Sequence, residues 1–216
     1  MSARSYTRRQ LMADTVLPKP YISEGLVFHL DGADATDTTW VDRIGGNTFT
    51  NTGSATHDGK GVLGTYSSSV TLGVSNSAGT IEVCGEIVSS WGSLGLSEFI
   101  VRDKTHLTGI NYILKPTNNP PYVDISSRSN YSPAPRAYRN NNTGKFTHSI
   151  NRERQVFNGT LGELGANSGT ITNASNSFVG NSKVRIYQVR IYNRRLTEAE
   201  MKWNQEQDRK KYGIQF

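Results

Sequence analysis

Val189-Arg190-Ile191-Tyr192-Asn193-Arg194-Arg195-Leu196-Thr197-Glu198-Ala199-Glu200 joins a strand pattern directly to a helix start. Val189 and Ile191 occupy alternate positions, the period of a half-buried strand. Thr197 with Glu200 three residues on forms a capping box, in which each side chain satisfies the other residue's free backbone N–H. Leu196 and Met201 bracket it as a hydrophobic staple. Upstream, Val184 and Ile186 share one parity while Val189 and Ile191 share the other. The run from Lys183 to Arg195 therefore needs a bulge near Tyr187-Gln188. Downstream, Asn204, Gln205 and Asp208 stand where a core-facing stripe wants apolar side chains. The pattern predicts a helix packed by its first turns, through Met201 and Trp203, with the remainder solvated or meeting a partner.

Working outward, Leu26, Phe28 and Leu30 alternate with Val27, His29 and Asp31 as a first core strand. In Thr80 to Val88, Ile81, Val83, Gly85 and Ile87 share one parity and Glu82, Cys84 and Glu86 the other, which predicts one buried and one solvated face. Further strands are expected at Asn47–Thr50, Ser68–Leu72, Glu98–Arg102, Asn111–Leu114, Tyr122–Ser126, Lys145–Asn151, Gln155–Phe157 and Ser177–Val179. Asn158-Gly159 between Phe157 and Thr160 is a hairpin signal, because a type I′ turn needs positive φ at both central residues. Ser127 to Thr143, rich in Pro and Asn, reads as a long surface loop. Short strands separated by turn residues indicate a sandwich or barrel, not alternating βα units.

The chain has 216 residues, 35% hydrophobic, with one cysteine, Cys84, which excludes an intramolecular disulfide. One all-β domain of this length is ordinary. No run reaches the roughly 18 apolar residues of a membrane span, and no signal peptide is read, so synthesis in a host cytoplasm is expected. The net charge of +6 sits largely at the two ends. Arg4, Arg8 and Arg9 lie in an extended arm over residues 1–23, which reads equally as an anchor or a frayed terminus. Arg209, Lys210 and Lys211 lie in the terminal helix and tail, residues 197–216. Aromatic residues do not interleave with these charges, so single-strand nucleic-acid binding is not indicated.

In order, Gly25-Leu26-Val27-Phe28-His29-Leu30-Asp31-Gly32, Trp40-Val41-Asp42, Thr80-Ile81-Glu82-Val83, Val156-Phe157-Asn158-Gly159, Phe178-Val179-Gly180 and the closing stretch quoted above make the chain resemble the concanavalin A-like jelly-roll superfamily. Within it the chain is similar to the laminin G-type domains of bacterial and phage proteins. The resemblance implies two antiparallel sheets packed face to face over residues 24–196, with the last strand returning beside the first. Family members mostly bind glycans or proteins, some through calcium, and related folds include glycoside hydrolases. Fold analogy does not choose among these.

A retaining glycosidase needs two carboxylates about 5–5.5 Å apart and an inverting one about 6.5–9.5 Å. Glu82 and Glu86 share a strand face, but four residues at about 3.3 Å rise set them on the order of 13 Å apart. No catalytic residue is therefore assigned. Asp31, Asp34, Asp37 and Asp42 crowd the loop after the first strand, where oxygen ligands for calcium and Asx turns are the two readings. No metal or other cofactor is assigned, since His29, His57, His106 and His148 show no zinc spacing and Cys84 no triad pattern. Tyr112, Tyr122, Tyr131 and Tyr138, with Arg128, Arg136 and Arg139, flank or occupy the long loop. They form either a recognition surface or a packed loop completing the core.

The leading expectation is a non-enzymatic virion component of a bacteriophage that displays a lectin-like sandwich for decoration or host-surface adhesion. Arg4, Arg8, Arg9, Trp203, Arg209 and Lys210 would dock on capsid or tail proteins, a host-surface glycan would be the ligand, and a homo-oligomer is compatible with this. A free carbohydrate-binding module and a glycoside hydrolase are the alternatives.

Overall fold

Short alternating runs become fourteen strands among the described residues of the computed structural model, all paired antiparallel in one network. It describes residues 21–53, 55–68, 79–88, 98–103, 112–115, 122–125, 136–138, 144–151, 154–163 and 177–215. In chain order the strands are β1 (Leu26–Asp31), β2 (Thr39–Val41), β3 (Thr48–Asn51), β4 (Thr56–His57), β5 (Val62–Ser68), β6 (Thr80–Ile87) and β7 (Glu98–Asp103). They continue as β8 (Tyr112–Lys115), β9 (Tyr122–Ile125), β10 (Arg136–Tyr138), β11 (Gly144–Asn151), β12 (Arg154–Phe157), β13 (Thr160–Glu163) and β14 (Ser177–Tyr192). A 3-10 turn at Gly32–Asp34 follows β1, and the α-helix α1 (Glu198–Tyr212) follows β14.

The long strand β14 links the layers of the sandwich. Its first residues pair with β7 and β5, and its last pair with β6 on one side and β1 on the other. The expected two sheets are thus joined through β14, in the order β10-β9-β8-β7-β14-β6-β11-β12-β13, and the last strand does return beside the first. Where β14 crosses β5, Gly180 and Gly64 both hold strongly positive φ, 121° and 119°. A β-carbon at Gly180 would strike the carbonyl oxygen of Gly64, so only glycine fits this crossing.

Between the layers lie Phe28, Leu30, Trp40, Phe49, Val83 and Ile191 with their neighbours, nearly all without solvent contact. Trp40 is fully buried, and its indole Nε1 donates to the Asp31 carbonyl at 2.7 Å, so the one polar atom of the ring is satisfied.

The local signals at the C-terminus fold as their chemistry directs. The register of β14 against β6 shifts between Ile186 and Gln188, the expected bulge, and Tyr187 there stacks on Tyr212 of α1 with centroids 4.5 Å apart. Both halves of the Thr197–Glu200 capping box form, and Leu196 and Met201 are buried with Val156 and Tyr192. Asn158 and Gly159 turn β12 into β13 with φ of 45° and 75°.

Three expectations fail. Glu82 and Cys84 are not on a solvated face: β6 is buried on both sides because α1 lies across its second face. For the same reason Asn204, Gln205 and Asp208 are fully buried against the sheet, while Trp203, expected to pack, is exposed. The long loop is not wholly irregular, since β10 forms within it and pairs with β9. Of the strand expected at Ser68–Leu72, residues 69–72 lie outside the described residues, and the strand found there is β5. Strands β2 and β4 have three and two residues, too short to show a period.

Candidate functional site

The register of five strands sets His29, Arg190, Glu82, Ser149 and Val156 side by side beneath α1, and Asp31, Gln188, Cys84 and Thr147 in the next row. Asn204, Gln205 and Asp208 project from one face of the helix onto these rows. Arg190 bonds Glu82 through Nε at 2.8 Å and Asp208 through Nη1 and Nη2 at 2.9 and 2.7 Å, and also donates to Gln188 Oε1. Asn204 donates to Glu82 Oε2 and accepts from the Ile22 amide, and Gln205 donates to Ser149 Oγ and to the Val156 carbonyl. Ser149 and Thr147 in turn donate to Glu82 and Asp208. The network of Arg190, Glu82, Asp208, Asn204, Gln205 and Ser149 is structural: removing one member strands another in low dielectric.

Burial raises the pKa of Glu82, against the pull of Arg190. For Arg190, burial works against the charge, but Asp208 and Glu82 outweigh it and hold the guanidinium ionised. Burial also drives the Cys84 thiol well up, so no thiolate forms there.

At the C-terminal end of α1 this layer opens into a cleft of about 650 Å³ between the helix, β1 and residues 21–23, walled by Tyr21, Ile22, Leu26, His29, Arg43 and Lys211. Gln207, Lys210 and Asp31 also reach it. His29 is 7% exposed and its Nε2 has no hydrogen-bond partner. Burial, then Arg190 and Arg43, pull its pKa down to about 4, so the imidazole is neutral at ordinary pH. Tyr21 meets this ring edge-on at 6.1 Å and carries the Arg190 guanidinium 4.1 Å over its own ring. Two residues along β1 from His29, Asp31 Oδ2 accepts from Gln188 and Lys211 and meets Arg43 at 2.9 Å. Burial lifts the Asp31 carboxyl, but Lys211 and the Ala33 amide outweigh it, and its pKa lies below the usual range.

The calcium candidates are committed elsewhere. Asp42 accepts from the amides of His29, Ile44 and Gly45 and from Asn47, Asp34 pairs with Arg43, and Asp37 faces His57 at 3.3 Å. No cluster of potential metal ligands forms among the described residues, and the Asx-turn reading is the one the geometry supports. Glu86 accepts from the Tyr187 hydroxyl, and Glu82 is sealed under the helix, so the two do not form an open carboxylate pair.

The tyrosine and arginine set is divided. Tyr122 and Tyr138 pair directly across β9 and β10, and Arg136 faces Asp124, while Tyr112 is in register with Ile125, the other parity of β9. Arg128, Tyr131 and Arg139 lie outside the described residues, as do Arg4, Arg8 and Arg9. On α1, Arg209 and Lys210 both pair with Glu206 in the exposed last turns. No helix among the described residues is long and apolar enough to cross a membrane.

No family model and no curated protein matches the sequence. Solved structures do match. The Trypanosoma rangeli sialidase superposes with a TM-score of 0.58 at 16% identity, over 85% of this chain and 33% of the sialidase. The binding domain of botulinum neurotoxin DC, solved with SialylT, gives 0.61 at 11% identity over 85% of this chain and 52% of that one. Botulinum neurotoxin type C, whose passage into cells depends on interaction with two ganglioside molecules, gives 0.60 at 11% over 85% and 51%. The likeness shows the fold, an antiparallel β-sandwich. This chain spans about a third to a half of the matched chains.

Proposed function

We propose that this protein is a non-enzymatic, carbohydrate-binding β-sandwich module. The observation that carries the reading is the cleft beside His29, which combines an aromatic ring, aliphatic side chains and several hydrogen-bonding side chains at one opening. Concave sites with an apolar wall and a few convergent polar groups are where small ligands bind. The sandwich domains of similar shape, one solved with SialylT and one dependent on gangliosides, support the same reading. Against hydrolysis stands the use of Glu82 as a buried structural anion. A glycan array tests the proposal: saturable binding with no released sugar is expected, and either turnover of a bound glycan or no binding to any glycan contradicts it.

We further propose that the module is a laminin G-like unit carried on a phage particle. Tyr21, Ile22 and α1 share one face of the sandwich, and the helix's exposed Trp203 and Arg209 are the side chains that would dock there. Mass spectrometry of purified virions from the source is expected to find the chain in stoichiometric amount, and its absence from them would overturn this placement.

A further inference from the structure

We infer that the cleft beside His29 is the sugar site and that its ligand is an acidic saccharide, whose carboxylate meets Lys211 and Lys210, with the charge of Arg43 beside them, while its ring packs on Tyr21, Ile22 and Leu26. The inference rests on the carbohydrate-binding reading and adds the site and the ligand's charge.

The charge argument comes from which valences are already used. Three cations and one carboxylate line the cleft, and that carboxylate, Asp31, is fully buried with Oδ2 shared among Gln188, Lys211 and Arg43. Asp31 has little left to offer an incoming donor. Arg43 is held by Asp34 through Nε and Nη2 and by Asp31 through Nη1 and adds charge without a free donor nitrogen, while the two lysines are less committed. An ammonium carries three N–H groups, and Asp31 takes one from Lys211. Lys210, with a side chain 60% exposed, has a 3.4 Å contact to Glu206. The Gln207 amide bonds the Trp203 carbonyl at 3.5 Å, the outer limit of a hydrogen bond. The spare capacity of the site is therefore donor capacity beside net positive charge, which selects an anionic, acceptor-rich group.

The apolar part of the lining selects a sugar over a bare anion. Tyr21, Ile22 and Leu26 present an aromatic ring and aliphatic carbon, surfaces that pack against the C–H face of a pyranose. The neutral His29 ring lines the same cleft beneath Tyr21, with its Nε2 buried. About 650 Å³ accommodates one to two sugar rings, within the usual range for small-ligand sites.

Matched probes test this on the full chain by calorimetry: 3′-sialyllactose against lactose, and methyl glucuronide against methyl glucoside, with inorganic phosphate as a third arm. At least one acid is expected to bind at least about tenfold more tightly than its neutral partner. That preference is expected to fall with added salt and to be lost in Lys210→Glu, a surface change that leaves the Asp31 pairs intact. Phosphate is expected to bind more weakly than the acid sugar. Equal affinity for the members of both pairs, or tightest binding by phosphate, overturns the inference while the carbohydrate-binding reading survives on any glycan hit. Acid-selective binding that Lys210→Glu and Arg43→Gln, each checked for unchanged melting temperature, leave untouched overturns the site. Binding of no glycan in the array overturns both readings.

Discussion

The guanidinium of Arg190 on β14 grips both carboxylate oxygens of Asp208 on α1, at 2.9 and 2.7 Å, with both side chains sealed from solvent. With Glu82 on its other side, Arg190 is the pivot on which the helix is fixed to the sheet. Arg190→Met leaves two buried carboxylates unpaired, and breaking such a pair costs about 3–5 kcal/mol. Urea unfolding is expected to show a loss of that size, and a change under about 1 kcal/mol would mean that the layer is not stabilising in the way described.

The helix is part of the fold and not an appendage. Deleting residues 203–216 removes Asn204, Gln205 and Asp208 and uncovers the polar rows of β6 and β14. The shortened chain is expected to lose its cooperative thermal transition, and a transition like that of the intact protein would contradict this. Thr197→Ala, which removes half of the capping box, is expected to cost about 1 kcal/mol.

How these features show in the sequence depends on whether the signal is local. The capping box, the Asn158-Gly159 turn and the Tyr187 bulge are set by neighbours within a few residues, and each forms as the pattern directs. The burial of Asn204, Gln205 and Asp208 is set by partners 12 to 182 positions away, among them Tyr192, Glu82 and Ile22. Polar residues on a helix face read as solvated unless the complementary Arg190 and Glu82 rows are known, and those rows arise from strand register. The cleft is hidden for the same reason: Tyr21, His29, Arg43 and Lys211 are scattered in the chain and meet only in the fold.

Acid should destabilise the protein in a defined window. His29 and His148 both have pKa values lowered to about 4 by burial, with Arg190 and Arg43 adding to the effect at His29, from an ordinary 6.5. Between these values the unfolded chain binds more protons than the folded one, so their contribution is full above about pH 6.5 and is lost as pH falls toward 4. Glu200, held at about 2 by Arg194 and the Thr197 cap, extends the loss below 4.5, while Glu82, with its raised pKa, acts in the opposite sense. Melting temperature is expected to fall steadily from pH 6.5 to 4, and His148→Gln to flatten that slope. A flat profile in the parent protein would show that the histidines are not buried neutral.

At the crossing of β14 and β5, Gly180→Ala forces a β-carbon against the Gly64 carbonyl at a φ that side chains avoid. A loss of more than about 2 kcal/mol is expected. A neutral result would show that the two strands do not cross as closely as described.

Because Asp31, Asp34 and Asp42 are occupied by protein donors, neither excess calcium nor a chelator should move the melting temperature by more than about 1 °C. A rise of several degrees with calcium would reinstate a metal at that loop.

The most direct test of the ligand site is a two-dimensional NMR titration of the labelled protein with 3′-sialyllactose and methyl glucuronide. Saturable shifts clustered at Tyr21, His29, Arg43, Gln207 and Lys211 are the predicted result. Saturable shifts confined to Tyr112, Tyr122 and Tyr138, with the cleft unmoved, would contradict it and return recognition to the strands β8 to β10.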